Sequence, residues 1–124
     1  MSLDFHRKIG AAAAIMGFKG VALGAFGAHY LKSILSEQQL LWWEKAVQYQ
    51  FYHIAPIILL AFLPSKNAKT ITIIFLLGCI FFSGSLYFMA LTNIRWLGAL
   101  TPIGGVLLLI GWGMLTYEIL KKNH

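Results

Sequence analysis

At 124 residues the chain is long enough for one domain. It is 59% hydrophobic and only 11% charged, against about 25% charged in a typical soluble domain, and a chain this short has no interior able to hide that much apolar surface. A soluble globule is therefore excluded; the net charge of +6 would suggest nucleic acid in a soluble protein, but here the basic residues flank apolar runs, so no nucleic-acid partner is expected and the lipid bilayer is.

A helix needs about 20 apolar residues to cross a bilayer. Four runs qualify, over residues 9–31, 43–63, 70–92 and 96–118. The expected fold class is all-α, an integral membrane four-helix bundle forming a single domain over residues 1–124. His6, Arg7 and Lys8 before the first run have the pattern of a signal peptide. Cleavage would leave no soluble domain to secrete, so the first run is expected to stay as a span.

Span one carries a small-residue stripe, Gly10, Ala13, Gly17, Gly20, Gly24 and Gly27, stepping 3, 4, 3, 4, 3. These fall within roughly 100° of helix arc. Small residues let backbones approach in lipid, where van der Waals contact replaces the hydrophobic drive. Three uses stay open: packing inside the bundle, a seam between copies in a homo-oligomer, or a hinge near Gly24 and Gly27. Lys19 lies about 130° from the stripe and near the bilayer centre. An intramembrane lysine marks a candidate functional site, unless it snorkels to the interface.

Lys32 opens the longest connection, residues 32–42, in which Ser36 and Gln39 have the spacing of a capping box. A short interfacial helix is expected to start there and run into span two. Trp43, Ala46, Gln50 and His53 then step 3, 4, 3, a seam of a left-handed bundle. Pro64, Ser65, Lys66 and Asn67 form a turn, as do Thr92, Asn93, Ile94 and Arg95. In span four the expected seam is Gly98, Thr101, Gly105, Leu108 and Trp112. The lone cysteine, Cys79, is inside a span and has no intrachain disulfide partner.

Lysine and arginine set orientation. Arg7, Lys8, Lys66, Lys69, Lys121 and Lys122 fall on one side of a four-span topology, Lys32, Lys45 and Arg95 on the other. That bias puts both termini in the cytoplasm. Trp42, Trp43 and Trp96 lie at the outer span ends, where an aromatic belt would be.

Polar residues within spans are costly and face the bundle interior. At 1.5 Å per residue, Gln50 and His53 reach mid-membrane. Ser83, Ser85, Tyr87 and Thr101 lie in the outer half, and His29 close to the outer end. The inner half of spans two to four is nearly all aliphatic or aromatic. These seven residues either satisfy one another in a closed hydrogen-bond network or line a polar pocket open to the outside. His29 and His53 differ in depth by roughly 12 Å of helix rise, too far to share one haem iron. No carboxylate lies at mid-depth to complete a metal site, so no cofactor or metal is expected. The FSGSLY run lacks the strand–turn–helix context of a nucleophile elbow, and no catalytic arrangement emerges.

GAFGAH at 24–29, W-x-x-A-x-x-Y-Q-x-x-H at 43–53, FSGSLY at 82–87 and TPIGG at 101–105 resemble the domain-of-unknown-function 423 family, small uncharacterised bacterial membrane proteins. The resemblance covers essentially the whole chain. It implies a four-span protein of the bacterial cytoplasmic membrane and supplies no activity. It marks Gly24, Gly27, His29, Trp43, Gln50, His53, Ser83, Ser85, Tyr87, Pro102, Gly104 and Gly105. Lys19 lies outside these motifs, where an apolar residue is more usual in the family. Two functions of different kind follow: a module that binds or moves a small molecule or lipid headgroup through the outer polar pocket, and a ligand-free scaffold working through its small-residue face. A membrane enzyme is a third, weaker reading, resting on His53 with Ser83 or Ser85.

Overall fold

A computed structural model describes residues 3–121. Lys122, counted above toward the cytoplasmic side, lies outside the described residues. The described chain is helical throughout and folds as four rods. The first is α1 (Leu3–His29). The second is α2 (Glu37–Tyr52) followed by α3 (Ile54–Phe62). The third is α4 (Ala68–Cys79), a π-helical segment (Ile80–Gly84) and α5 (Ser85–Thr92). The fourth is α6 (Thr101–Leu120), entered through a 3₁₀ turn (Arg95–Ala99). Three helical stretches, Asp4–Ser33, Ala68–Thr92 and Arg95–Leu120, are long and apolar enough to cross a membrane. The second rod falls short of that measure because α2 opens on polar residues and the rod breaks at His53.

Local chemistry explains the joints. Ser36 caps α2: its hydroxyl accepts from the Gln39 N–H at 3.2 Å while the Gln39 side chain accepts from the Ser36 N–H at 3.1 Å, the capping box expected from sequence. Pro56 has no N–H to offer the Tyr52 carbonyl, so the rod bends at His53, whose φ and ψ are −100° and 4°. Asn93 stops α5 in the left-handed region at φ 56°, a conformation its short polar side chain tolerates.

The small-residue stripe of α1 faces the second rod, with the two running antiparallel. A methyl added to Gly10, Gly17 or Gly24 would sit at 3.7, 3.7 and 3.5 Å from Ala61, Ile54 and Val47. At Gly20 it would press on the Phe51 ring at 2.8 Å, and at Gly27 it would overlap the Trp43 indole. Ala13 is fully buried in the same face. Of the three uses foreseen for the stripe, the first is the one seen: it seats α1 inside the bundle. Helix α1 runs unbroken through Gly24 and Gly27.

The third rod packs between the second and α6. Here the expected phase of α6 is corrected. Its buried face is Gly104, Leu108, Gly111, Leu115 and Glu118, not Gly98, Thr101, Gly105 and Trp112. The reason is steric: α6 crosses the third rod where Gly104 meets the backbone of Gly78 and of the π-helical segment, and Gly111 meets the Phe75 ring. Together with Gly78 of the third rod, where a methyl would press on Leu108 at 2.7 Å, these glycines remove the side chains that would hold the backbones apart. Trp43 is likewise not a belt residue. It is 3% exposed, and its indole N–H donates to the Leu23 carbonyl at 2.9 Å.

Candidate functional site: a lateral cleft

Gln50 is the polar centre of the bundle. It sits midway along the second rod, which runs from Glu37 to Phe62. Its amide nitrogen donates to the Met16 carbonyl of α1 at 2.8 Å. Its amide oxygen accepts from the Tyr87 hydroxyl of α5 at 2.7 Å. One side chain thus ties three rods together. Each such bond in a membrane contributes around 0.6 kcal/mol, but leaving the groups unpaired in hydrocarbon costs more.

The other expected polar residues close on different partners. The Ser83 hydroxyl donates to the Ala46 carbonyl at 2.7 Å. Ser85 donates to the Phe82 carbonyl at 3.0 Å and pairs with the Thr101 hydroxyl at 2.6 Å, joining α5 to α6. His53 Nδ1 lies 2.6 Å from the Tyr49 carbonyl, which can only accept. His53 Nε2 accepts the Trp112 indole N–H at 3.0 Å. This pairing places the ring proton on Nδ1 and occupies both nitrogens. The imidazole is a fastener between the second rod and α6, and it bonds neither serine.

The grouping expected from depth is therefore split by azimuth. Gln50, Ser83 and Tyr87 line one cleft. His53 belongs to a separate, aromatic groove with Tyr49, Tyr52, Phe82 and Trp112. His29 is exposed at the C-terminal end of α1 and lines neither. Sequence reasoning placed Ala46 and Tyr49 in the Trp43–His53 stretch but did not foresee them, or Met16, as hydrogen-bond acceptors, because the groups they contribute are backbone carbonyls, which every residue has. Gln39, expected only as half of the capping box, also reaches across the bundle, its amide donating to the Ala90 carbonyl at 2.8 Å, and the cluster around Glu118 was not foreseen.

The first cleft has a volume of about 460 Å³, within the roughly 300–1,000 Å³ usual for small-molecule sites. Its walls are α1 and the third rod, and its floor is Gln50. On α1 the lining residues Ala12, Ile15, Met16, Lys19 and Leu23 form one stripe, distinct from the glycine face. Opposite are Leu76, Cys79, Ile80, Ser83, Gly84 and Tyr87. Half of this wall, Ile80, Ser83 and Gly84, is the π-helical segment, and such segments are frequent at functional sites. Lys19 is exposed on the rim, one residue from Gly20, which packs on Phe51 beside Gln50. Its place on α1 is level with the middle of the bundle, where a lysine costs roughly 2.5–3.5 kcal/mol to insert.

The family described as "Protein of unknown function (DUF423)" matches residues 23–105. The chain is also 46% identical over 111 residues to a UPF0382 membrane protein of Staphylococcus epidermidis, covering 87% of this chain and 91% of that one. This chain belongs to the DUF423 family. Among other members, UPF0382 membrane protein YwdK of Bacillus subtilis is 39% identical over 113 residues, with 87% of this chain and 92% of YwdK covered. UPF0382 inner membrane protein YgdD of Escherichia coli is 38% identical over 116 residues, with 90% and 88% covered. No solved structure matches the chain. The family places this chain in a lipid bilayer, in agreement with its composition and its apolar helices. All four stretches that carried the resemblance fall inside, or within one turn of, the interlocked region: GAFGAH on the α1–α2 face, the Trp43–His53 seam at the centre, FSGSLY across the π-helical segment and TPIGG at the α6 crossing.

Proposed function

We propose that this DUF423 member is a multi-pass membrane binding module, with both termini in the cytoplasm, that holds a membrane-dissolved amphiphile in the cleft between α1 and the third rod. The observation that carries the reading is the placing of the bundle's central polar pair, Gln50 and Tyr87, in a cleft otherwise lined mainly by apolar side chains. An amphiphile entering sideways from lipid would meet polar groups there and hydrocarbon on either side. No reaction is part of the proposal: the serine hydroxyls and both His53 nitrogens are engaged in fastening the rods.

Gly84 allows a clean test. A Cβ added there meets nothing within 4 Å, and Gly84 lines the cleft, so Gly84→Leu adds bulk at the cleft with no clash at its Cβ. A photoreactive long-chain alcohol should label cleft peptides in the wild type, and Gly84→Leu should lower that labelling at least fivefold with unchanged thermal unfolding. Even labelling of cleft and lipid-facing surface, such as Phe18 at 79% exposure, would instead support the second reading. That reading is a ligand-free scaffold, favoured by the mutual satisfaction of the polar side chains.

The orientation rests on Arg7, Lys8, Lys66, Lys69 and Lys121 against Lys32, Lys45 and Arg95. Reporter fusions at residue 67 should register cytoplasm, and fusions at residue 94 the opposite side. The reverse pattern would invert the assignment.

A further inference from the structure

Lys19 brings a positive charge to the rim of the cleft, and no carboxylate of the described chain shares that cleft. Asp4 and Glu37 lie in the first turns of α1 and α2. Glu44 lines a different groove, beside Gly24, Gly27 and Lys32. Glu118 is bound up with Ser65, Asn67 and Lys121 at the far end of α6. Within a bilayer an isolated cation calls for a counter-charge, and the cleft beside it has room for one. The Gln50 amide nitrogen uses one of its two hydrogens on the Met16 carbonyl, leaving a second donor for an incoming oxygen. Ile15, Leu23 and Ile80 supply hydrocarbon wall.

We propose that the amphiphile is a long-chain carboxylate, its head paired with Lys19 and its chain lying in the cleft. The assignment rests on the binding reading above and narrows it to one chemical class. The charge count favours a singly charged head over a phosphate monoester: a carboxylate carries one negative charge, matching one lysine, whereas a phosphate monoester carries about −1.5 to −2. A carboxylate also has two oxygens, one for the ammonium and one for an amide donor.

The test uses the full chain in zwitterionic nanodiscs with three photoreactive probes of equal chain length: a fatty acid, the corresponding alcohol and a lysophosphatidate. In the wild type the acid should label the cleft about tenfold more efficiently than the alcohol, the factor that one charge-assisted pair can supply, and also better than the phosphate. Lys19→Met should bring acid labelling down to the alcohol level measured in the same variant, with unchanged thermal unfolding reporting an intact fold. Lys19→Arg should keep the preference. Retention of the preference in Lys19→Met, or equal labelling by acid and alcohol in the wild type, would overturn the charge assignment alone. So would a phosphate probe that outcompetes the acid. Failure of the alcohol to label the cleft at all would remove the binding reading itself.

Discussion

Gly104→Ala lowers the stability of the detergent-solubilised bundle by about 3 kcal/mol or more, whereas Gly113→Ala leaves it unchanged or raises it by about 0.5–1 kcal/mol. The two glycines lie on the same helix and differ only in what faces them. A methyl on Gly104 would overlap the Phe82 backbone nitrogen and come within 2.7 Å of the Gly78 carbonyl oxygen and 2.8 Å of the Phe81 carbonyl carbon. These are backbone atoms of the third rod and cannot swing aside as a side-chain tip does. Relief requires α6 to move away, which would also open the Ser85–Thr101 contact at 2.6 Å. A methyl on Gly113 meets nothing within 4 Å and removes only glycine's extra freedom in the unfolded chain. Unfolding by denaturing detergent, followed by tryptophan fluorescence, measures both. Equal stability of the two variants would mean that the crossing is looser than the packing at Gly104 implies.

The second large effect is at Glu118. Its side chain is 2% exposed and accepts from the Ser65 hydroxyl at 2.6 Å, the Asn67 amide at 2.6 Å and the Lys121 ammonium at 3.0 Å. The carboxylate thereby binds the α3–α4 turn to the end of α6, joining segments 53 residues apart in sequence. Glu118→Ala strands the Ser65 and Asn67 donors and leaves Lys121 without its partner. The expected loss is about 2–4 kcal/mol, since removing one member of a buried charged network uncovers the others. Glu118→Gln keeps the volume and one acceptor and should lose roughly half as much. Faster proteolysis within residues 64–67 of Glu118→Ala, relative to both wild type and Glu118→Gln, checks where the bundle opens. Unaltered cleavage there would show the turn to be held by its own backbone.

What the sequence made legible follows from which interactions are written in side chains. The apolar runs, the Ser36–Gln39 box and the α1 stripe depend on residue type and period, and each has its counterpart in the structure. The Trp43–Ala46–Gln50–His53 seam does too, with all four buried. The phase of α6 was not legible because Gly104 and Gly111 share that helix with Gly105 and Gly113, so small residues occur on more than one face. His29 was grouped with the polar residues of the outer half, but depth fixes only one coordinate, and the side chain is exposed at the end of α1. The 130° separation of Lys19 from the stripe was readable. The cleft beside Lys19 was not, since it exists only through the placing of the third rod against α1.

The fastening of this bundle is lopsided in a way that bears on how its sequence can drift. Gln50, Trp43, Ser83, Gln39 and His6 each supply a side-chain donor, while Met16, Leu23, Ala46, Ala90 and Ala61 supply only a main-chain oxygen. A donor has few chemical substitutes. An acceptor of this kind survives any replacement that fits the available volume and leaves the helix in place. Saturation mutagenesis would therefore read as two classes of position within each bonded pair, one chemically exacting and one constrained by size alone.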